Sequence, residues 1–149
     1  MHSSRLFFAV PLVAALVMPS AFAFDFKSVG NAAVILYEKP SEKGVKRYIA
    51  PPGMPLQVMN TYGAWFKVRD MNGDEAWTPA RGLVPRQTVL VRTPGARVHA
   101  GPDDGSAVLM TADKGVLLEL ADPTATVWAR VRHRDGVNGY IKVSDIWGL

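Results

Sequence analysis

The 149-residue sequence predicts an all-β protein with two small barrels in tandem, preceded by a cleavable signal peptide. Three observations support this prediction. No segment shows a sustained apolar period of about 3.6 residues over a helical length. Short runs that favour strands recur at regular spacing between Gly, Pro and Asn turn residues, which is typical of small sandwiches and barrels. The same landmarks then occur twice, 62 or 63 residues apart, and this indicates an internal repeat.

The first 23 residues differ in character from the remainder of the chain. Arg5 supplies a cation, an apolar run broken only by Pro11 follows over residues 6–18, and small residues stand at Ala21 and Ala23. This is the three-part pattern of a secretory signal peptide, so we expect cleavage after Ala23. The apolar run is too short to span a bilayer comfortably. We therefore expect an exported protein without a membrane span, located in the periplasm.

Composition narrows the classes of protein and partner. The chain has no Cys, so an exported form must be held by its apolar core, and disulfide-rich scaffolds are excluded. The 17 Lys and Arg exceed the 13 Asp and Glu by four, which is a weak field over a chain of this length. We therefore expect no nucleic-acid partner, and anionic polymers of the cell envelope are the more natural polyanion.

Copy one is predicted over residues 24–87 as a series of short strands. Turn signals punctuate it at Pro51-Pro52-Gly53, Tyr62-Gly63 and Asn72-Gly73. A domain of about 60 residues is close to the lower limit for a stable core, so packing two copies together would help both. The predicted strands of copy one cover residues 33–38, 46–50, 55–62, 64–71 and 75–79.

Copy two is predicted over residues 88–149. Its start, Thr88-Val89-Leu90-Val91, is strongly strand-like and too apolar for a flexible linker. We expect this segment to close the first barrel and to lead directly into the second. The predicted strands of copy two cover residues 96–100, 107–111, 116–121, 127–134 and 138–143.

Strand alternation assigns two faces to the hairpin that follows each central Trp. In copy two, a two-residue loop would place Val131 opposite Tyr140 and leave Ile141 outside. A three-residue loop with Gly136 left-handed places Val131 opposite Ile141 and buries both aliphatic side chains, so this register is preferred. The predicted outer faces carry Trp65, Lys67, Arg69 and Trp77 in copy one, and Trp128, Arg130, Arg132, Tyr140 and Lys142 in copy two.

The order of these landmarks resembles the bacterial SH3-like domain (SH3b). The residues that carry the resemblance in copy one are Leu36, Pro40, Gly53, Leu56, Gly63, Trp65, Val68, Arg69, Gly73, Trp77 and Leu83. Those in copy two are Val98, Gly101, Pro102, Gly115, Trp128, Val131, Arg132, Asp135, Gly136, Gly139, Tyr140 and the closing Ile146-Trp147-Gly148-Leu149. Copy one departs from the pattern at Ala76, where the family usually has Gly, and Tyr37 and His99 stand where Arg is common.

This resemblance implies two five-stranded, mostly antiparallel SH3-like barrels. Such barrels are typically accessory modules of exported or envelope proteins, and some relatives bind peptidoglycan peptides or cross-bridges.

The sequence offers little for catalysis. It has no Cys nucleophile, His99 and His133 are the two His after residue 23, and no Gly-x-Ser-x-Gly, His-Glu-x-x-His or phosphate-loop motif is present. Asp103-Asp104-Gly105 lacks the other ligands of a calcium loop and is typical of a turn. We therefore expect no enzymatic activity, no metal site and no cofactor.

The candidate ligand-binding surface is the set of aromatic rings interleaved with cations in each copy. Such rings can stack on an extended peptide or sugar chain while the cations meet carboxylates. In the alternative, the rings lie under neighbouring loops with the Lys and Arg stems packed on them. Tyr37 and His99 stand at the end of the first predicted strand of each copy, where the resemblance places the ligand-flanking loop of an SH3-like barrel. In the alternative, they are solvated side chains of that loop. The candidate residues are Trp65, Arg69, Trp77, Trp128, Arg132, Tyr140, Tyr37 and His99.

Two functions follow from this surface. The first is non-catalytic binding of an envelope partner, either a peptidoglycan peptide or a periplasmic protein. The second is a structural or homo-oligomerising protein whose aromatic faces pack on each other, between the two barrels or between two chains. The sequence leaves the oligomeric state open.

Overall fold

The computed structural model describes residues 25–149 of the chain. These residues form two antiparallel sheets of seven strands each. The predicted signal peptide, residues 1–23, lies outside this part. The predicted fold class, all-β with two small barrels in tandem, is confirmed. Among residues 25–149, no helix is both long enough and apolar enough to cross a membrane.

The first sheet contains the strands of copy one. These strands are β1 (Phe26–Val29), β2 (Val34–Tyr37), β3 (Lys46–Ala50), β4 (Pro55–Tyr62), β5 (Trp65–Arg69), β6 (Glu75–Pro79) and β7 (Leu83–Val84). One turn of 3-10 helix, Ala80–Gly82, leads into β7. The spatial order is β3-β2-β6-β5-β4-β1-β7.

The second sheet repeats the first. Its strands are β8 (Thr88–Val91), β9 (Ala96–His99), β10 (Val108–Ala112), β11 (Leu117–Leu120), β12 (Trp128–Arg132), β13 (Asn138–Lys142) and β14 (Ile146–Trp147). A second 3-10 turn, Val143–Asp145, precedes β14. The spatial order β10-β9-β13-β12-β11-β8-β14 matches that of the first sheet strand for strand.

Each sheet has a leading strand and a two-residue closing strand beyond the five predicted. The prediction that Thr88–Val91 closes the first barrel is wrong, because β8 pairs with β11 and β14 of the second sheet. The last strand of the first sheet is β7, which pairs with β1. The segment is the copy-two equivalent of β1, and Val89 and Val91 are fully buried in the second core.

The central hairpin of copy two has a register that neither predicted loop gives. Val131 pairs with Gly139, and Ala129 pairs with Ile141. The turn occupies residues 134–136, with His133 N–H donating to the Val137 carbonyl at 2.9 Å and Gly136 at a φ of 92°. This register is two residues away from the preferred one, so each side chain keeps its predicted face. Val131 and Ile141 are both buried, as predicted, although they do not oppose each other.

Each sheet has its own apolar core. Equivalent core positions of the two copies carry side chains of different size. Leu36 in the first core corresponds to Val98 in the second, and Phe66 corresponds to Ala129. The fully or nearly buried residues of the first core are Val29, Leu36, Ala50, Leu56, Val68, Ala76 and Leu83. Those of the second core are Val89, Val91, Ala96, Val98, Ala112, Leu118, Ala129, Val131, Ile141 and Ile146.

The two barrels meet at a junction of buried hydroxyl groups. The Thr88 hydroxyl donates to the Gly53 carbonyl at 2.6 Å and lies 2.7 Å from the Ser28 hydroxyl. Ser28 in turn donates to the Arg86 carbonyl at 2.6 Å, and both hydroxyl side chains are about 1% exposed. The rings of Phe26 and Trp147 pack edge to face beside them, 5.0 Å apart. The junction therefore joins β1 of the first sheet to β8 and β14 of the second sheet.

We predict that Thr88→Val lowers the free energy of unfolding by about 1–3 kcal/mol, because it leaves the buried Gly53 carbonyl without its donor while preserving shape. Urea unfolding monitored by Trp fluorescence measures the change. The matched control is Thr111→Val on the exposed edge strand β10, which should change stability by less than about 0.5 kcal/mol. Equal unfolding midpoints for Thr88→Val and the wild type would show that the hydrogen bond from Thr88 to Gly53 does not stabilise the protein.

Candidate functional site

The predicted aromatic residues of copy one come together on the outer face of the first sheet. Tyr37 pairs with Trp77 across β2 and β6. The rings of Tyr37 and Trp65 pack edge to face, with centroids 5.5 Å apart and planes at 81°. The rings of Trp77 and Tyr62 pack in the same way at 6.4 Å and 80°. We call Tyr37, Tyr62, Trp65 and Trp77 aromatic cluster one.

Exposure varies strongly within aromatic cluster one. Tyr37 is only 6% exposed and is the last residue of β2, so its predicted place in a solvent-facing loop is wrong. Trp65 and Trp77 are half-buried, whereas Tyr62 is 67% exposed. The cluster therefore has a buried base and an exposed rim. Sequence reasoning missed Tyr62, although a two-residue Gly63-Ala64 loop places it directly opposite Trp65.

Copy two has the same ring contact with a different partner. His99 packs edge to face on Trp128 at 5.3 Å and 84°, as Tyr37 does on Trp65. His99 is 6% exposed, ends β9 and pairs with Tyr140, so its predicted loop position is also wrong. The Lys142 ammonium lies 5.6 Å from the Trp128 ring centroid, within cation–π range. We call His99, Trp128, Tyr140 and Lys142 aromatic cluster two.

A hydrogen bond orients the His99 ring. Its Nδ1 atom lies 3.1 Å from the Ser106 carbonyl oxygen. Because a carbonyl only accepts, Nδ1 carries the proton and donates. The Ser106 hydroxyl also donates within its own loop, to the Gly101 and Asp103 carbonyls at 3.0 and 2.8 Å. The loop between β9 and β10 therefore holds the imidazole edge-on to Trp128.

In each copy, an ion pair joins the loop between the first two core strands, β2 and β3 or β9 and β10, to a residue at or just beyond the end of β6 or β13. Arg81 Nη2 lies 2.6 Å from Glu42 Oε1 in copy one, and Lys142 Nζ lies 2.8 Å from Asp104 Oδ1 in copy two. The hydrogen bond from Lys142 lowers the pKa of Asp104. Both pairs are exposed, so solvent screens them and they add little to stability. They border a cleft beside the buried ring of each cluster.

The clefts have similar sizes and equivalent linings. The cleft of copy one has a volume of about 230 Å³ and that of copy two about 300 Å³. The first is lined by Ala33, Val34, Ile35, Tyr37, Glu42, Pro79 and Arg81. The second is lined by Thr93, Gly95, Ala96, Arg97, His99, Asp104, Lys142 and Asp145. Repeated rings, clefts and charges suit contact by stacking and hydrogen bonding.

The predicted cations behave differently in the two copies. Arg69 Nη2 lies 2.6 Å from Glu75 Oε1, and Lys67 Nζ lies 3.2 Å from Glu75 Oε2. The hydrogen bonds from Arg69 and Lys67 lower the pKa of Glu75. In copy two Asn138 occupies the position of Glu75, opposite Arg132, which takes part in no ion pair among the described residues. Arg69 is therefore engaged by a neighbour and Arg132 is open to an external anion.

Metal-ligating side chains do not gather anywhere in residues 25–149. No group of three or more His, Asp or Glu in this range is arranged to hold a metal ion.

The sequence matches establish the family of the chain. The model of the bacterial SH3 domain matches residues 30–84 and again residues 93–148. The chain therefore belongs to the bacterial SH3 domain family and carries two of its domains in tandem, which confirms the predicted resemblance. Comparison with curated proteins finds no match.

Several solved structures resemble the chain at low identity. NlpC2 from Trichomonas vaginalis is 13% identical, with 86% of this chain and 49% of that chain covered and a TM-score of 0.39. NlpC1 from the same organism is 12% identical, with 92% and 51% covered and a TM-score of 0.39. An NlpC/P60 family protein from Bacillus cereus ATCC 10987 is 14% identical, with 82% and 55% covered and a TM-score of 0.37. The chain spans about half the length of these structures.

Gly139 sets the separation between β13 and β9 beneath aromatic cluster two. A Cβ atom at this position would lie 2.5 Å from the His99 carbonyl oxygen and 2.7 Å from Val98 Cγ1. We predict that Gly139→Ala destabilises the protein by about 1–3 kcal/mol through overpacking and moves His99 against Trp128. Thermal unfolding and the Trp emission maximum report both effects.

The matched control uses the equivalent position of copy one, where Ala76 already occupies the site. Ala76→Gly introduces no overpacking, so it should leave the Trp emission maximum unchanged while costing about 1–2 kcal/mol through backbone entropy and the loss of a buried methyl group. If Gly139→Ala unfolds at the same temperature as the wild type, the space between β13 and β9 accommodates a methyl group and the prediction is wrong.

The lowered pKa of Glu75 predicts a pH-dependent coupling with Arg69. A carboxylate with a depressed folded pKa stabilises the protein above its unfolded pKa of about 4.3, and this stabilisation is lost as the pH falls through the folded pKa. A double-mutant cycle of Glu75→Gln and Arg69→Gln should give a favourable coupling at about pH 7 that vanishes near pH 2. Coupling of equal size at both pH values would contradict the ion pair.

Proposed function

We propose that the protein is an exported, non-catalytic binding protein whose two bacterial SH3 domains hold an extended ligand of the cell envelope, namely a peptidoglycan peptide. The observation that supports this is the duplicated geometry of the site. In each copy a ring buried at the end of one strand, Tyr37 or His99, supports a half-buried Trp edge-on and borders a cleft.

The chemistry of the surface suits a peptide or sugar chain. Half-buried rings offer faces for stacking and cost little conformational entropy on binding, since the packing beneath them already restricts their rotamers. The exposed Tyr62 hydroxyl in copy one and the Lys142 ammonium beside Trp128 in copy two supply polar partners for backbone and carboxylate groups.

Export and a periplasmic location are part of the same proposal. They rest on the three-part pattern of residues 1–23, with cleavage after Ala23. The absence of Cys from the sequence is compatible with an oxidising compartment.

The competing structural function takes two forms. The form in which the aromatic faces lock the two barrels together is wrong, because the ring contact across the junction is that of Phe26 with Trp147. The ring contacts of Trp65, Trp77 and Trp128 all lie within their own copies. The form in which two chains pair through these faces remains a prediction, and sedimentation of the wild type and Tyr62→Ser tests it.

We predict that Trp65→Ala/Trp128→Ala reduces retention on purified cell-wall sacculi by about tenfold or more, because removal of central aromatic contacts typically costs over 1 kcal/mol each. Co-sedimentation over a range of sacculus concentrations measures the apparent Kd. Circular dichroism verifies that the variant is folded.

The matched control is Ile49→Ala/Val108→Ala, which removes one exposed apolar side chain per copy from the edge strands β3 and β10. This variant should bind as the wild type does. If the Trp variant is retained as well as the control, the aromatic clusters do not contact the ligand.

A further inference from the structure

The central hairpins of the two copies carry opposite charge on the same backbone. The copy-one hairpin, residues 65–77, has two cations and three carboxylates, whereas the copy-two hairpin, residues 128–140, has three arginines and one carboxylate. The difference arises at five equivalent positions. The copy-one residues Asp70, Met71, Asn72, Asp74 and Glu75 correspond in copy two to His133, Arg134, Asp135, Val137 and Asn138.

These replacements leave the copy-two arginines without intramolecular partners. Among residues 25–149, Arg130, Arg132 and Arg134 take part in no ion pair. Arg130 and Arg132 are exposed and stand on the outer face of β12. Two residues of a strand on one face lie about 7 Å apart, so the row exceeds the size of one carboxylate or phosphate group.

The row ends in a cleft of about 390 Å³ near the junction of the two barrels. Arg132 and Arg134 lie on one side of it, and Val116 and Leu117 supply an apolar wall. Leu117 also approaches Gly53 of the first barrel, which places this wall at the junction. We call this the arginine cleft; its remaining charged residues are Arg86 and Glu119.

The charges inside the arginine cleft do not cancel. Arg86, from the connection between the barrels, forms an ion pair with Glu119. The Glu119 carboxylate is therefore already engaged, and two guanidinium groups remain for an external ligand. Guanidinium groups bind carboxylate and phosphate oxygens through paired N–H donors, and the adjoining apolar wall lowers competition from water.

We propose that the arginine cleft and the Arg130 side chain beside it bind oxyanions repeated along an extended polymer, such as a phosphorylated or uronic-acid glycan. The spacing of the row favours a polymer over a single small anion. The arginine cleft shares no residue with the aromatic clusters, so it can fail as a binding site while the proposed binding of peptidoglycan peptide stands.

The experiment measures binding of two fluorescent probes by anisotropy in about 50 mM NaCl: linear polyphosphate, which offers phosphate without sugar, and polygalacturonate, which offers carboxylate on sugar. The wild type should bind at least one probe. A preference for polyphosphate assigns the site to phosphate, a preference for polygalacturonate assigns it to carboxylate, and similar affinities assign it to both. Binding should weaken steeply with salt because the contacts are ionic.

Two independent changes should weaken binding by about tenfold or more. Arg132→Gln/Arg134→Gln removes the open guanidinium groups. Asn138→Glu places a carboxylate opposite Arg132, as Glu75 stands opposite Arg69 in copy one. The charge-matched control is Lys46→Gln/Arg47→Gln on the exposed strand β3, which should bind within about twofold of the wild type.

Three results would overturn the proposal: no binding of either probe by the wild type, unchanged affinity in the arginine double variant, or equal weakening by the control. The last result would assign binding to net charge alone. Probe binding by Trp65→Ala/Trp128→Ala, measured in parallel, separates this site from the aromatic clusters, because this variant should lose retention on sacculi and still bind the probes within about twofold of the wild type.

Discussion

The burial of one aliphatic side chain in the middle of each central hairpin determines which residues reach the surface. Val68 and Val131 are each about 1% exposed and point into their cores. Since side chains alternate along a strand, their neighbours must point outward, and a shift by one residue would bury an arginine or a tryptophan. The aromatic clusters, the Glu75 ion pair and the open row of arginines all depend on this one constraint of register.

The two copies keep this framework while their surfaces differ. Differences between the two cores change the side-chain packing locally, as where Leu36 of copy one corresponds to Val98 of copy two. The backbones of β13 and β9 approach so closely that Gly139 is required, whereas copy one accommodates Ala76 at the equivalent position. On the outer face the exchanges alter chemistry instead. Copy one has gathered a fourth ring and a carboxylate that neutralises its cations, whereas copy two has lost the carboxylate and gained an arginine. A shared fold thus carries one mainly aromatic surface and one mainly cationic surface.

Much of this arrangement was predictable from the sequence, because strand alternation and turn residues are local signals. They gave the faces of the hairpins, most strand positions and the duplication. The prediction that Thr88–Val91 closes the first barrel was wrong because its equivalent in copy one, Phe26–Val29, is short and mixed in composition and was not predicted as a strand. The neutralisation of Arg69 was missed because Glu75 becomes its partner only once the hairpin register is known. The burial of Tyr37 and His99 depends on long-range pairing with β6 and β13, which no local pattern contains.

The hydroxyl junction of Ser28 and Thr88 has a consequence for multivalent contact. Two modules on a flexible tether lose entropy when both engage one ligand, and their effective concentration falls as the tether lengthens. Here the connection is short and the modules pack directly on each other, so most of that loss has already occurred during folding. A ligand long enough to reach both surfaces gains from the pair, whereas a fragment that reaches one surface has single-site affinity. Because the junction fixes the two modules together, their combined affinity for a ligand depends on the length of that ligand.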